Sequence, residues 1–316
     1  MNNLLRLIGR RLVALPLMVL GVTLLVFLIM SLSPIDPAYV AMGENATPEQ
    51  LENFRQQNGL YDPLIVQYGN YIWNMLQGDL GTYGVGGANT VSDKVFTALP
   101  ITLGLTFFGL ILAVVVAFPL GVLAALYRDR WPDQVIRVIS VACLATPSFW
   151  LAIMLVLIFL GTLPVSGPLP AFTEDPSGWF MRMLLPALAL AVPVIGQMTR
   201  VVRTSMVEEL DRDYVRTALG AGIPKPVVVG RNVLRNALIT PVTVLGLRVG
   251  YLMGGAVVIE IIFGIHGMGR VLVDGITNNW VTVVQGATLV VAVAFIIVNI
   301  VVDLLYVLIN PRIRAV

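Results

Sequence analysis

Three ionisable side chains interrupt long apolar runs of this 316-residue sequence: Arg248, Glu260 and Asp303. An enzyme acting inside a membrane would need a nucleophile beside a general base, and these three side chains do not provide that pair. The single histidine, His266, lies in the short segment FGIHGMGR, where a turn residue is the default interpretation. The single cysteine, Cys143, lies within another apolar run, as a small buried hydrophobe would. The sequence therefore predicts no catalytic residue, no metal site and no cofactor bound by this chain.

Arg248 and Glu260 lie within the same apolar run, 237–262. An arginine near the centre of a membrane span costs about 2.5–3.5 kcal/mol, so it should face protein or water. It could bond backbone carbonyls or extend toward water beyond the end of the span. Glu260 could form a gate or hairpin ion pair with Arg270 or be a rim charge, and Asp303 is most simply an interface charge.

The composition indicates which elements must position these side chains. With 57% hydrophobic residues, 12% charged residues and a mean hydropathy of +0.87, the chain differs strongly from soluble domains, where roughly 25% of residues are charged. A membrane helix needs about 20 apolar residues. Six runs qualify or nearly qualify, and we read the first as a retained anchor: 12–32, 101–126, 138–163, 183–198, 237–262 and 281–302. We therefore expect an all-α polytopic membrane protein with six transmembrane helices, kinked at LATPS (144–148) and at Pro186 and Pro193.

Basic residues predict the orientation of these spans. Six spans put both termini on one side, and that side holds most of the 20 Lys and Arg residues: Arg6, Arg10, Arg11, Arg128, Arg130, Arg137, Arg200, Arg203, Arg212, Arg216, Lys225, Arg231, Arg235, Arg312 and Arg314. The other side has only Arg55, Lys94, Arg182 and Arg270. Because Lys and Arg concentrate in cytoplasmic loops, we expect both termini in the cytoplasm.

The segment 33–98 is then a large first extracytoplasmic loop. Thr47, Pro48 and Gln50 form a helix-start signature, and aromatic residues at helical spacing follow in IVQYGNYIWNML. The Gly-rich QGDLGTYGVGGAN lacks the phosphate-loop pattern, so a surface turn is the better interpretation. We expect two domains: residues 1–95, with the first anchor and this loop, and residues 96–316, a core of five spans.

A basic, Gly- and Pro-rich segment, RTALGAGIPKPVVVGRNVLRNALITP (216–241), separates the fourth and fifth spans. Its pattern predicts an amphipathic helix continuing the fourth span to Leu219, a turn at Gly220–Gly222, and a second helix starting near Pro224 and running into the fifth span. The valines at 227–229 are expected to be exposed, and an apolar patch rimmed by charge is typical of a docking surface. A helix lying on anionic lipid and an ordinary linker are the alternatives.

The segment YVRTALGAGIPKPVVVGRNVLRNAL (214–238) resembles the cytoplasmic coupling segment of permeases of binding-protein-dependent ABC importers, in the dipeptide/oligopeptide/nickel subfamily. It departs from the family pattern at Leu219, Gly220, Ala221 and Asn232. The resemblance extends along the chain through LSPIDPA (32–38), FRQQNGLYDPL (54–64), QGDLG (77–81), LPVSG (163–167), GGAVVIEIIFGIHGMGRVLVDGI (254–276) and VDLLYVLINPRIR (302–314).

The resemblance implies a type I importer fold and a non-catalytic permease subunit in a bacterial or archaeal plasma membrane. The implied partners are a second permease subunit, two cytoplasmic ATPases that bind ATP and Mg, an extracytoplasmic solute-binding protein and membrane lipid, with no nucleic acid. The implied substrate is a peptide, with nickel complexes, glutathione or sugars as alternatives and a channel or secondary transporter as a remote one. The implied ATPase-coupling residues are Arg216, Thr217, Ala218, Gly222, Pro224, Lys225, Val228, Gly230, Arg231, Arg235 and Asn236. The resemblance also makes Arg248 and Glu260 candidates for the translocation path or its gate, where Arg248 could attract an anionic group such as a peptide carboxylate.

Overall fold

The computed structural model describes the backbone of residues 2–43, 45–167 and 169–309, and the side chains of residues 15–43, 45–167 and 169–302. Its helices, in chain order, are α1 (Asn2–Ser31), α2 (Pro37–Met42), α3 (Pro48–Gln57), α4 (Leu64–Leu76), α5 (Val91–Leu126), α6 (Trp131–Ala145), α7 (Ser148–Phe159), α8 (Pro176–Leu210), α9 (Asp213–Gly220), α10 (Lys225–Val227), α11 (Leu234–Ala237), α12 (Ile239–Phe263), α13 (Met268–Thr277) and α14 (Val281–Ile309). A π-helical turn, Val228–Val233, joins α10 to α11. Two short antiparallel strands, β1 (Thr82–Tyr83) and β2 (Asn89–Thr90), form a hairpin.

Four of these helices are long and apolar enough to cross a membrane: α5, α8, α12 and the described part of α14, Val281–Val302. Helices α6 and α7 pass the same test together, which gives five spans if this bent pair counts as one. A mostly helical membrane protein with several spans is thus confirmed. The described apolar part of α1, Leu15–Ser31, is shorter than a span, so the sixth span stays a prediction.

The predicted orientation also stays a prediction. It depends partly on charges outside the described ranges: Arg312, Arg314 and the side chains of Arg6, Arg10 and Arg11. The side chain of Asp303 lies outside them as well.

Prolines act differently in the two runs expected to be kinked. Helix α6 ends at Ala145, and α7 leaves it at an angle of 97°. Thr146 there is extended, because the ring of Pro147 disfavours helical backbone in the preceding residue. By contrast, Pro186 and Pro193 are both buried inside α8, which continues as one helix to Leu210. Neighbouring helices can compensate for the lost backbone hydrogen bonds of such prolines.

The chain divides into two compact units. The core unit consists of Leu103–Ile265 with the described residues of the two ends, 2–5 and 298–309, and the loop unit of Arg6–Thr102 and His266–Ile297. The expected domain boundary at residues 95 and 96 stays a prediction. In the core unit, α8 packs against α6, α7, α11 and α12. Gly196 allows the closest approach, because a Cβ there would collide with the Ser140 carbonyl oxygen and lie 2.8 Å from the Leu144 nitrogen of α6.

The loop unit contains the polar segment between α1 and α5. The predicted start of α3 is confirmed, since Thr47 and Gln50 form a capping box. The Asp36 carboxylate receives hydrogen bonds from Arg55 at 2.6 and 3.0 Å, which ties the start of α2 to α3. A buried apolar cluster holds the rest of the unit together: Val91, Val95, Ala98, Met268, Val271, Val283 and Ala287.

Candidate functional site

The basic segment forms a helical hairpin, which we call the basic hairpin (residues 213–233). Helix α8 ends at Leu210, and extended backbone at Arg212 separates it from α9. The expectation of one continuous helix to Leu219 is therefore wrong. Leu210, Tyr214 and Ala218 nevertheless all pack against one buried apolar cluster. Their four-residue spacing therefore continues across the break, so the sequence pattern does not show that the helix ends.

The predicted turn after α9 is confirmed. Helix α9 ends at Gly220, and Gly222 has a φ of 80°, a backbone conformation that favours glycine because it has no Cβ. The chain becomes helical again at Lys225, as the Pro-rich sequence predicts, and continues through the π-turn and α11 toward α12. The π-turn brings residues five positions apart onto one side, so that Val228 and Val233 are both buried.

One face of the basic hairpin is fastened to the core unit by buried side chains, which we call the valine cluster: Ala125, Val202, Met206, Val215, Val228, Val233 and Ala237. Val228 is 1% exposed, so its expected exposure is wrong. Val229 is half-buried, whereas Val227 is 47% exposed as predicted. Three consecutive valines in a helical turn cannot share one face, and the turn directs the middle one inward.

The other face of the basic hairpin is open to solvent. Most of the predicted coupling residues are exposed: Arg216, Thr217, Gly222, Pro224, Lys225, Gly230, Arg231 and Arg235. In the described part of the chain, Lys225, Arg231 and Arg235 form no ion pair, and Arg216 reaches Asp213 at only 4.0 Å. The hairpin thus presents a net positive surface on a rigid support.

Two predicted coupling residues, Ala218 and Asn236, are half-buried. The Asn236 amide donates a hydrogen bond of 3.3 Å to the Tyr214 hydroxyl, which in turn donates to Glu209 at 2.9 Å. Burial raises the pKa of the Tyr214 hydroxyl, although a tyrosine is a hydrogen-bond donor at neutral pH even without this shift. Tyr214 and Glu209 were not among the predicted site residues, and they join α8 and α9 to α11.

A buried ion pair between α6 and α8 was also missed. The carboxylate of Asp133, fully buried at the start of α6, accepts two hydrogen bonds from Arg203 of α8, both 2.6 Å long. The Asp129 backbone N–H donates to the same carboxylate at 2.9 Å. A second, exposed pair joins Arg128 to Asp211 at 2.8 Å. Together these contacts fix the α5–α6 connection to the end of α8.

A cavity of about 670 Å³ lies in the core unit beside α8. Its walls come from α6, α8 and α12, and its lining includes Gln197, Arg200, Thr204, Glu208, Arg248 and Tyr251. Arg248 therefore lines an open space, and its role in a solute path stays a prediction. Glu260 lies about three turns further along α12, is fully buried and does not line this cavity.

Residues 117–315 match the family described as the inner membrane component of binding-protein-dependent transport systems. Residues 4–106 match the N-terminal part of such membrane components. The chain belongs to this permease family. Within the part of the permease that the structure describes, no three potential metal ligands come together.

Several relatives are similar over nearly the whole permease. A putative peptide transport system permease of Brucella abortus is 39% identical over 304 residues, covering 95% of this chain and 96% of the relative. A probable D,D-dipeptide transport system permease of Escherichia coli is 38% identical, with 94% of each chain covered. A glutathione transport system permease of Salmonella choleraesuis is 40% identical, with coverage of 96% and 97%.

A solved structure supports the same fold. The permease resembles a crystal structure of an amino acid ABC transporter with histidines, with a TM-score of 0.50 and 14% sequence identity. The match covers 70% of this chain and 94% of that one. It indicates the ABC permease fold for the spanning helices.

Proposed function

We propose that this permease forms half of the translocation path of an ATP-driven importer for peptides or similar small solutes. The peptide, D,D-dipeptide and glutathione relatives support this substrate class, because all three names describe short peptides or their derivatives. The cavity beside α8, at about 670 Å³, is within the range of about 300–1,000 Å³ that is usual for small-molecule sites. Nickel complexes or sugars are alternatives within the family.

The proposed complex contains a second permease subunit, two cytoplasmic ATPases that bind ATP and Mg, and an extracytoplasmic solute-binding protein. It lies in a bacterial or archaeal inner membrane, with six spans and both termini in the cytoplasm. In this arrangement the basic hairpin faces the ATPases. The hairpin's positively charged, exposed face on a buried apolar support is the observation that carries the docking proposal.

The hairpin can transmit force because its two faces have different partners. Closure of an ATPase pair would push the exposed residues, and the valine cluster would pass this displacement to α5 and α8 as a rigid-body motion. Packed interiors resist compression, so the displacement would not be absorbed locally. The implied contact residues are the exposed ones; Val228, in contrast, is proposed to support the hairpin from beneath.

A substitution at Gly222 tests the docking proposal. The site is open, because no atom lies within 4 Å of a Cβ built there, but its φ is positive. We expect Gly222→Trp to leave membrane insertion intact and to abolish ATP-dependent peptide uptake, because a large ring would block close approach of the ATPase. Gly222→Asn is the matched control: asparagine tolerates this backbone conformation and is small, so uptake should be retained. Normal uptake by the tryptophan variant would contradict the proposal.

Crosslinking identifies the docked partner directly. A photoreactive amino acid replaces Val227, which is 47% exposed on the hairpin, or Val85, which is 66% exposed in the extracytoplasmic loop. Ultraviolet irradiation of intact cells should join the ATPase, identified by mass spectrometry, to the first variant only. Absence of an ATPase from the crosslinked products and from the gently solubilised complex would favour a channel or secondary transporter.

A further inference from the structure

Among the residues that the structure describes, the positive charge of Arg248 has no anionic partner. It is the tenth residue of α12, about 14 Å from the start of that helix at 1.5 Å per residue. Within the described residues no carboxylate forms an ion pair with it, and its buried Nε has no hydrogen-bond acceptor. Burying a charged donor without a partner is costly, so an acceptor from outside the chain would stabilise it.

Tyr251, one turn along α12, satisfies only part of this charge. The guanidinium carbon lies 5.7 Å from the centre of the tyrosine ring, a cation–π distance. Such a contact attracts the positive charge without accepting a hydrogen bond from Nε. Arg248 therefore lies beside the cavity with an N–H donor that remains available for a hydrogen bond.

The remaining polar residues of the cavity also suit an anionic group. Its ionisable lining residues are two arginines, Arg200 and Arg248, and one acid, Glu208. None of the three forms an ion pair among the described residues. Hydroxyl and amide groups surround them, from Gln197, Thr204, Ser205, Thr240 and Tyr251. The cavity thus carries a net positive charge and neutral hydrogen-bonding groups.

We propose that Arg248 binds the carboxylate of the transported solute, which for a peptide is its C-terminal carboxylate. This inference rests on the proposed transport function and deepens it by assigning an anion-selective subsite to the path. A guanidinium suits the role because its planar N–H donors match a carboxylate in a two-point contact. Since no carboxylate of the described residues pairs with Arg248, this contact is left to the solute.

The charge of the cavity can be measured without transport. In the assembled transporter with Cys143→Ala, Thr204→Cys gives a thiol on the cavity wall for labelling by two methanethiosulfonates, the anionic ethylsulfonate and the cationic ethylammonium. We expect the ratio of anionic to cationic labelling rates to fall several-fold in Arg248→Gln and to rise in Glu208→Gln. Arg130→Gln, an exposed arginine outside the cavity, is the matched control and should leave the ratio unchanged. An unchanged ratio in Arg248→Gln would overturn the subsite.

Uptake of trialanine, compared with uptake of trialanine amide, tests whether Arg248 recognises the carboxylate of the solute. Because the same binding protein delivers both peptides to every variant, a change in their relative uptake reports on the permease. We expect Arg248→Gln to lower trialanine uptake about tenfold, the smallest loss expected for a charge-assisted hydrogen bond, and to affect the amide little. Arg248→Lys should restore part of the labelling ratio but less of the uptake, since lysine lacks the two-point geometry.

The outcomes separate the two proposals. Equal loss of both peptides, or loss of the second permease subunit from the Arg248→Gln complex, would overturn the subsite; the latter would mean that Arg248 pairs with a carboxylate of the partner. Absence of ATP-dependent uptake in the unmodified complex would contradict the transport function, whereas the labelling ratio would still report the charge of the cavity.

Discussion

Removal of Arg203 is the most demanding test of how α6 is held to α8. Arg203 donates two hydrogen bonds of 2.6 Å to Asp133, whose side chain is fully buried. Replacing one partner of a buried pair leaves the other charge without compensation, at a cost of about 3–5 kcal/mol. The lower end applies here, because the Arg203 side chain is 18% exposed and Arg137 lies 3.5 Å from the same carboxylate. We expect Arg203→Met to lower the free energy of unfolding by about 3 kcal/mol.

The structure offers a matched control for this substitution. Arg128 and Asp211 pair at 2.8 Å, with side chains 49% and 63% exposed. This pair also joins the α5–α6 region to α8, but it is exposed to solvent, where an ion pair contributes at most about 1 kcal/mol to stability. Arg128→Met should therefore change the free energy of unfolding by less than about 1 kcal/mol.

Unfolding of the purified permease by sodium dodecyl sulfate in mixed micelles measures both changes. A double-mutant cycle with Asp133→Leu then isolates the pairwise energy between Asp133 and Arg203. Replacing both partners by apolar residues should recover much of the lost stability, because no unpaired charge remains. A pairwise energy no larger than that of the exposed pair would refute the reasoning that burial makes this contact strong.

Two further predictions concern α8. Gly196→Ala should destabilise the permease by about 1–3 kcal/mol, because the added Cβ would collide with α6; Gly254→Ala, with open space around its Cβ, should be neutral or slightly stabilising in the same unfolding assay. Asp175 caps α8 through the Gly178 N–H, which lowers the pKa of its carboxyl. The stability that this cap contributes is therefore present above the unfolded pKa of about 3.9 and is lost as the pH falls below that value. Hydrogen exchange in the first turn of α8 should show this loss in the native chain but not in Asp175→Asn. An equal loss in both proteins would contradict the prediction.

Much of the architecture could be predicted because apolar length and turn chemistry are local properties. Long apolar runs predicted α5, α8, α12 and α14, and Thr47 with Gln50 predicted the start of α3. Gly222 and Pro224 predicted the turn and the second helix of the hairpin, because few residues suit a positive φ or a helix start equally well. These signals require knowledge of neighbouring residues only.

Other features depend on tertiary contacts that no local pattern reveals. The break at Arg212 keeps the four-residue spacing, so the periodicity of Leu210, Tyr214 and Ala218 is the same with or without it. The pair of Asp133 and Arg203 joins residues 70 positions apart. Charge at both positions was visible, but exposed loop charges are far commoner than buried pairs. Arg248, in contrast, was predicted to face protein or water, because lipid penalises charge strongly.

Neighbouring residues of the basic hairpin differ in what they contact, and this matters for how the proposed coupling works. Val227 is open to solvent, whereas Val228, the next residue, is part of the valine cluster. A force applied to the exposed face therefore reaches the buried face within one residue, with no flexible linker between them. The Asp133–Arg203 pair then holds α6 to α8 a short distance along the same helix. A docking segment on a mobile loop would lose displacement to local motion, whereas the proposed one, built on buried side chains, would move α8, which lines the cavity.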